Sequence, residues 1–235
     1  MNPLLLIQST PQEALPVLSD VGTQTAEKVS MSFMDMAMNG GWLMIPLFVL
    51  LFLAVYIFIE RLRVINAASK NDPTFMSKIK DYIFDGKVES AKKLCKQANS
   101  PSSRMIEKGI SRMGRPMNDV QVAIENVGNI EVSKLEKSLS LLASVAGGAP
   151  MIGFLGTVTG MVQAFFDMAN AGTNVDIKVL SSGIYQAMIT TVAGLIVGIA
   201  AYFAYNYLVS RVGKIVNDME DKTMEFMDLL NEPVK

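Results

Sequence analysis

Two long uncharged stretches constrain this chain more than any other feature. They cover residues 138–166 and 179–210, and neither contains an Asp, Glu, Lys, Arg or His. A helix needs ~20 apolar residues to cross a hydrocarbon core of ~30 Å, so each stretch is long enough to span a bilayer. Both are rich in Gly, Ala, Ser and Thr, and small residues let helices approach closely in lipid. We therefore predict two membrane helices that pack tightly and offer hydroxyl groups.

A third apolar run, residues 42–59, lies closer to the N-terminus. Trp42 suits the interface at one end, and Glu60 and Arg61 end the run at the other. The sequence therefore predicts an all-α membrane protein with three transmembrane helices. The two later spans are longer than a bilayer requires, so we expect long helices that extend into a cytoplasmic helical domain.

The distribution of Lys and Arg predicts the orientation. Residues 60–137 hold fifteen of them and residues 211–235 hold four, whereas residues 1–41 and 167–178 hold one each. Because cytoplasmic loops are enriched in Lys and Arg, we expect the first two segments in the cytoplasm. The N-terminal arm 1–41 and the connector 167–178 then face the periplasm, with the N-terminus out and the C-terminus in.

The cytoplasmic segment is predicted to be a series of short helices, because turn-forming residues punctuate it at Pro73, Asp85–Gly86, Ser100–Pro101 and Gly114–Pro116. From Asn118, a suitable N-cap, apolar spacing predicts one amphipathic helix that continues into the second span. The tail 211–235 has helical spacing as well, and the arm has a candidate interfacial helix around Phe33–Met38. The apolar stripes either pack on one another or also face neighbouring copies.

The composition excludes several classes of function. The chain has no His and a single cysteine, Cys95, so it lacks the commonest general base and any disulfide framework. The run GAPMIGFLGTV, which begins at Gly148, has no GK[ST] ending and is not a phosphate loop. We expect no enzyme activity, no cofactor and no metal, and a net charge of −1 gives no reason to expect nucleic-acid binding.

Polar residues without charge mark the two later spans. An ion-carrying membrane protein usually has a titratable residue in its spans; here either no ion is carried or a partner supplies that residue. A Ser or Thr can simply bond a carbonyl of its own helix, and Gln186 either braces the helices or contacts a guest helix. Pro150 is expected to kink its helix, and the kink either widens a pore at one end or accommodates packing. The remaining candidates are Thr157, Thr159, Ser181, Ser182, Tyr185, Thr190, Thr191, Gly156, Gly160, Gly194 and Gly198.

These residues lie in two runs that carry a family resemblance, KLEKSLSLLASVAGGAPMIGFLGTVTGMVQAF and GIYQAMITTVAGLIVGIAAYFAYN. The runs contain LGTVxGM and GIxxAxxxTxxGL, in order, and the sequence resembles the MotA/TolQ/ExbB family of proton-channel motor subunits. MotA-type members have four spans, so three spans favour the ExbB and TolQ branch. The long outward arm is more like ExbB.

The resemblance implies a pentameric ring in the bacterial inner membrane. The ring encloses ExbD/TolR-like single-span partners, each with a membrane Asp, and in the ExbB branch it drives a TonB-like protein that energises transport across the outer membrane. A TolQ-like role, a gliding or secretion motor and a non-conducting scaffold stay open, as does proton against sodium. A stand-alone transporter is not expected, since the sequence has no internal repeat.

The resemblance also suggests roles for individual residues. Thr157 and Thr191 match the family's pore-facing threonines, and Thr190 stands beside them as an ion-pathway candidate. Gln186 stands where ExbB relatives have Glu, so a role for a ring carboxylate is in doubt here. The other candidates for partner contact are Tyr185, Ser182, Gly156, Gly160, Gly194 and Gly198.

Overall fold

The computed structural model describes residues 41–69, 72–170 and 177–231, which contain seven helices and no strand. The predicted arm, apart from Gly41, and its interfacial helix lie outside these residues. The helices are α1 Met44–Ala68, α2 Phe75–Phe84, α3 Val88–Ala98, α4 Pro101–Ile110, α5 Met117–Glu136, α6 Leu139–Asn170 and α7 Ile177–Asn231.

Three segments are long and apolar enough to cross a membrane: Met44–Ala68, Met117–Asn170 and Leu180–Asn231. They overlap the three predicted spans, and the described residues confirm an all-α fold with three candidate membrane helices. As predicted, the helix of the third span continues into the tail: α7 runs for 55 residues, from Ile177 to Asn231. The orientation of the termini and the limits of the predicted segments remain predictions.

Helices α6 and α7 form a hairpin, which is the most extensive contact between two elements. Small residues meet along its centre, where a Cβ atom added to Gly194 would lie 2.7 Å from the carbonyl oxygen of Ala149 and 2.8 Å from Cα of Gly153. Real side chains do not approach so closely, so only glycine fits. This line of close contact, here called the glycine seam, consists of Gly153, Gly156, Gly160, Ala164, Gly183, Ala187, Thr190, Gly194 and Gly198.

Helix α1 packs on one side of this hairpin, against both α7 and α6. Leu47, Ala54 and Ile57 are buried in that contact. The opposite side of α1 carries large apolar side chains with high exposure, including Phe52 at 70% and Tyr56 at 66%. So much exposed apolar surface indicates contact with lipid or with another protein.

Helices α2 to α5 pack with the second half of α7 into a helical bundle, here called the cytoplasmic bundle after the location that the sequence predicts for it. Its core includes Ile79, Ile106, Ile124 and Phe226, each with no exposed surface. Helix α4 begins as predicted at Ser100–Pro101: Ser100 Oγ accepts a hydrogen bond from Ser103 N at 3.1 Å, and Ser103 Oγ accepts one from Ser100 N at 2.9 Å.

The continuous helix predicted from Asn118 into the second span is wrong in two respects. Helix α5 begins at Met117, after Pro116, so Asn118 lies in the first turn and is not the cap. The helix also ends before the span, because Lys137 is extended and Ser138 has a φ of 65°. The sequence has no Gly or Pro at this point, and a positive φ at Ser138 is not suggested by its residue type.

A side chain from another helix explains how this break is stabilised. The last four carbonyls of α5 have no partner within their own helix. Arg61 of α1 is 5% exposed, and its Nη1 donates to the carbonyl oxygen of Lys134 at 3.2 Å. Its Nη2 donates to Glu60 Oε1 at 2.6 Å. A cation at a helix C-terminus is electrostatically favourable, so α1 holds the corner between α5 and α6.

A buried carboxylate links α4 to α5. Glu131 is 3% exposed, and its two oxygens accept from Arg104 Nη2 at 2.5 Å and from Lys134 Nζ at 2.7 Å. Burial alone would raise the pKa of Glu131, but the hydrogen bonds and positive charges of Arg104 and Lys134 outweigh it, so this pKa lies below its ordinary value. The ion pair therefore stabilises the fold while Glu131 is ionised.

We predict that Glu131→Gln lowers the free energy of unfolding by about 1–3 kcal/mol at pH 7, less than for a fully buried pair because Arg104 is partly exposed. The folded pKa is depressed, so the pair contributes above the ordinary carboxyl pKa of 4.5 and is lost as the pH falls through the folded value. Thermal unfolding measured from pH 7 to pH 4 should show that the stability difference between the native protein and Glu131→Gln becomes smaller below the ordinary carboxyl pKa of 4.5. The exposed Glu136→Gln is the control, and an equal gap at both pH values would contradict the assignment.

We also predict that Gly194→Ala destabilises the hairpin, since its methyl group would overlap Ala149 and Gly153. Gly147 is the matched control: it lies in α6, and a Cβ there meets nothing within 4 Å. Replacing a helical Gly by Ala is otherwise favourable by roughly 0.5–1 kcal/mol. The melting temperature in detergent should fall for Gly194→Ala and hold or rise for Gly147→Ala. Equal melting temperatures would show that the seam is not tightly packed.

Candidate functional site

The membrane part of the α6–α7 hairpin carries no charged side chain. Residues 139–166 of α6 and 180–210 of α7 contain no Asp, Glu, Lys or Arg, and the first carboxylate beyond them is Asp167 near the end of α6. A proton needs a titratable group or ordered water to cross a bilayer. The hairpin by itself supplies only hydroxyls, amides and backbone carbonyls.

Two threonines lie together at one level of the hairpin. Thr157 Oγ1 donates to the carbonyl oxygen of Phe154 at 2.6 Å, and Thr191 Oγ1 donates across the seam to Gly153 at 2.9 Å. Their acceptors are consecutive residues of α6, so both hydroxyls lie within one turn. Both side chains are half-buried. Each oxygen keeps lone pairs that can accept a further hydrogen bond or face a cation.

This threonine pair lies on the side of the hairpin that faces away from α1. On α6, Thr159 lines a cavity beside α1, and Thr157, two residues earlier, points about 200° away from it at 3.6 residues per turn. On α7, Gln186 lines the same cavity, and Thr191, five residues later, points about 140° away. The hairpin therefore has an α1 side and a threonine side.

Thr190 belongs to the seam and not to the threonine side. It is 2% exposed, and its hydroxyl donates to the carbonyl oxygen of Ala187 in its own helix at 2.7 Å. Its side chain fills the space above Gly156, where an added Cβ would overlap it. Within one subunit, Thr190 fills the space that the glycine leaves.

The cavity on the α1 side has a volume of about 360 Å³ and lies at the end of the hairpin farther from the cytoplasmic bundle, here called the outward end after its predicted orientation. It brings together six predicted residues: Gly156, Thr159, Gly160, Ser182, Gln186 and Thr190. Gln163 and Asp167 also line it, and Gln163 Nε2 donates to Asp167 Oδ1 at 2.8 Å. Sequence reasoning missed these two, although their spacing of four residues places them on one helix face.

Gln186 lies against the beginning of the described chain. A Cβ added to Gly41 would collide with its amide nitrogen, so Gln186 is in close contact with Gly41, three residues before the start of α1. The φ of 71° at Gly41 is a backbone conformation that favours glycine. This contact favours the interpretation in which Gln186 braces helices of its own subunit.

The remaining predicted residues have separate places. Gly160 contacts Ala187 in the seam, and Gly198 receives the ring of Pro150, which lies inside α6. The fit of that ring against glycine favours packing as the reason for Pro150. Tyr185 is 37% exposed and lies outside the residues that line the cavity.

Cys95 is a structural residue of the cytoplasmic bundle. It is 1% exposed, and burial, with a smaller effect from Glu107, raises the pKa of its thiol to about 12. Among the described residues, no group of three His, Cys, Asp or Glu is placed to hold a metal ion.

The raised pKa predicts a slow thiol. At pH 8 the reaction of Cys95 with N-ethylmaleimide, followed by intact mass, should be far slower than that of a cysteine introduced at the exposed Ser90 of the same helix. The reaction of Cys95 should become fast only when denaturant unfolds the bundle. Equal rates for Cys95 and Ser90→Cys in the folded protein would contradict the burial.

Three apolar helices, an uncharged hairpin packed through glycine and a helical bundle at one end define a multi-pass helical membrane protein with a polar, neutral hairpin. The model of the MotA/TolQ/ExbB proton channel family matches residues 97–221, more than half of the chain. The chain belongs to this family, which confirms the resemblance seen in the sequence. It is a family of inner-membrane proteins and of proton channels, not a known enzyme family.

The matches to individual relatives cover only part of each relative's length. A biopolymer transport protein ExbB homolog of Methanothermobacter thermautotrophicus is 28% identical over 72% of this chain and 61% of its own. The Tol-Pal system protein TolQ of Haemophilus influenzae is 34% identical over 58% of this chain and 55% of its own length. The biopolymer transport protein ExbB of Aquifex aeolicus is 38% identical over 37% of this chain and 58% of its own length. The chain thus matches less than two thirds of the length of these relatives.

Proposed function

We propose that this chain is the ring-forming subunit of an inner-membrane motor that uses the proton motive force. Five copies surround the membrane helices of an ExbD/TolR-like partner, whose membrane Asp carries the proton. A TonB-like protein then receives the work and energises transport across the outer membrane. Family membership and the names of the ExbB relatives support this proposal.

The threonine pair on an uncharged hairpin carries the proposal. A motor that moves protons needs one group that gains and loses a proton and a surrounding surface that tolerates both states. Thr157 and Thr191 supply neutral oxygens within one turn of α6. A threonine hydroxyl accepts a hydrogen bond from a protonated carboxyl group, and it donates to the carboxylate once it rotates away from its backbone carbonyl. A guest Asp can therefore change protonation without facing a fixed charge.

The side that faces away from α1 is the one we assign to the ring interior. Helix α1 covers the other side, so it lies at the periphery of the ring, where its exposed apolar residues meet lipid. The glycine seam between the two sides keeps the hairpin thin, so several hairpins can surround a narrow space. In this arrangement Gln186 acts from the periphery, by holding α1 on the hairpin, and the absence of a carboxylate at this position leaves the guest Asp as the titrating group.

A TolQ-like motor is the second candidate. The relative from Haemophilus influenzae named as a Tol-Pal system protein is 34% identical over 136 residues, which is as strong a likeness as that to ExbB proteins. The two candidates share the ring and the guest carboxylate and differ in the process that receives the work. Deletion of the gene separates them: loss of TonB-dependent uptake supports the first, and loss of outer-membrane integrity supports the second.

We predict that Thr157→Val and Thr191→Val fold and assemble but lose energy-coupled activity. Valine has nearly the shape of threonine without its hydroxyl, and a lost interaction of ~1.4 kcal/mol with the carboxyl group corresponds to about tenfold in rate. Ring assembly is measured by native mass spectrometry. Activity is measured as energy-dependent uptake or as envelope integrity, whichever is lost when the gene is deleted.

Thr159→Val is the matched control, because Thr159 lies two residues away on the α1 side and bonds carbonyls of its own helix. It should retain activity. Full activity of both Thr157→Val and Thr191→Val would reject the threonine side as the ion pathway. A complex that assembles with its partner, yet shows no partner-dependent proton flux with native threonines, would indicate a non-conducting scaffold.

A further inference from the structure

A groove with a volume of about 390 Å³ lies between α1 and α7, in the part of the spans nearer the cytoplasmic bundle. One wall consists of Leu51, Ala54 and Phe58, and the other includes Ala201, Ala204 and Tyr207. Every residue that lines it is apolar or aromatic. It differs from the outward cavity, which is lined by hydroxyls, amides and a carboxylate.

The groove leads to basic groups at the edge of the spans. Phe203, Tyr207 and Arg211 are spaced by four residues, so they lie on one face of α7, and Lys214 follows one turn later. Arg211 Nη2 donates to Asn66 Oδ1 of α1 at 2.8 Å, which bridges the two helices beyond the apolar walls. The feature is thus amphipathic along its length, apolar inside the membrane and cationic at its boundary.

This combination has the chemistry of a phospholipid. An acyl chain satisfies an apolar slot within a bilayer, and a phosphate matches a guanidinium, which has five N–H donors and binds phosphate in a bidentate manner. A lysine one turn away adds a second positive charge, which favours a headgroup with a net negative charge over a zwitterionic one.

We propose that this groove binds one anionic phospholipid, with an acyl chain between α1 and α7 and its phosphate on Arg211 and Lys214. The bound lipid fills the space that the small alanines leave and holds α1 against α7. The charge at the boundary argues for a lipid as the occupant, since a neighbouring subunit would have to bring both an apolar wedge and an anion. This inference is independent of which process the motor drives.

The test is a lipid titration of the full-length protein in its assembled form. Delipidated protein in neutral detergent is titrated with phosphatidylglycerol or phosphatidylcholine of the same chains, and native mass spectrometry counts bound lipid per subunit. Two variants address the site. Arg211→Gln/Lys214→Gln removes the charges, and Ala200→Phe, on the groove wall, fills the slot.

Matched controls make the same changes elsewhere on exposed positions. Arg115→Gln/Lys137→Gln removes two charges, and Val49→Phe adds the same ring to the lipid-facing side of α1. We expect about one phosphatidylglycerol per subunit in the native protein, with a preference over phosphatidylcholine of about thirtyfold, as two interfacial cations provide. The charge variant should lose the preference, the Ala200→Phe variant should lose the lipid, and both controls should bind as the native protein does.

Three results would overturn the proposal. They are equal retention of the two lipids by the native protein, an unchanged preference in the charge variant, and a change of oligomer size with unchanged lipid in Ala200→Phe. The last would make the groove an interface between copies. Thermal unfolding of each variant identifies a folding defect, and Tyr207→Phe, which keeps the ring, supplies a second, mild variant that should retain the lipid.

Discussion

The close approach of α6 and α7 through small residues determines how the membrane helices pack and where their polar side chains lie. Lipid offers no hydrophobic driving force for helix association, so contact between backbones must supply it. The seam achieves that contact where Gly194 meets Ala149 and Gly153 with no room for a Cβ atom. Because the centre is filled by backbone, the polar side chains of the hairpin are displaced to its two sides, and each side is left with a separate role.

The two sides differ in what they can do. On the α1 side, Gln186 and Asp167 line a cavity at the outward end, and Gln186 contacts Gly41, three residues before α1, so polar groups there serve contacts within the subunit. On the threonine side, Thr157 and Thr191 present hydroxyls with no charge nearby in the spans. The proposed motor follows from this division, since a neutral surface can serve as a passage only when another chain supplies the carboxylate.

Much of the fold could be predicted from the sequence, because it depends on local patterns. The apolar runs predict the spans, Ser100–Pro101 predicts a helix start, and helical spacing in the tail predicts the length of α7. Other features depend on partners distant in sequence. The break at Ser138 is stabilised by Arg61, 77 positions earlier, and no local signal marks it. Likewise, neighbouring threonines look alike in sequence, and only the position of α1 and the seam separates Thr190 and Thr159 from Thr157.

Proton uptake into vesicles distinguishes a neutral hairpin from one that carries the ion by itself. The chain is reconstituted alone, with its single-span partner, and with that partner after Asp→Asn in its membrane helix, and a pH-sensitive dye reports flux under an imposed potential. A neutral hairpin predicts flux only with the native partner, and none for the chain alone or with the Asn variant. Steady proton flux through the chain alone would show that its own residues carry the ion and would contradict the account.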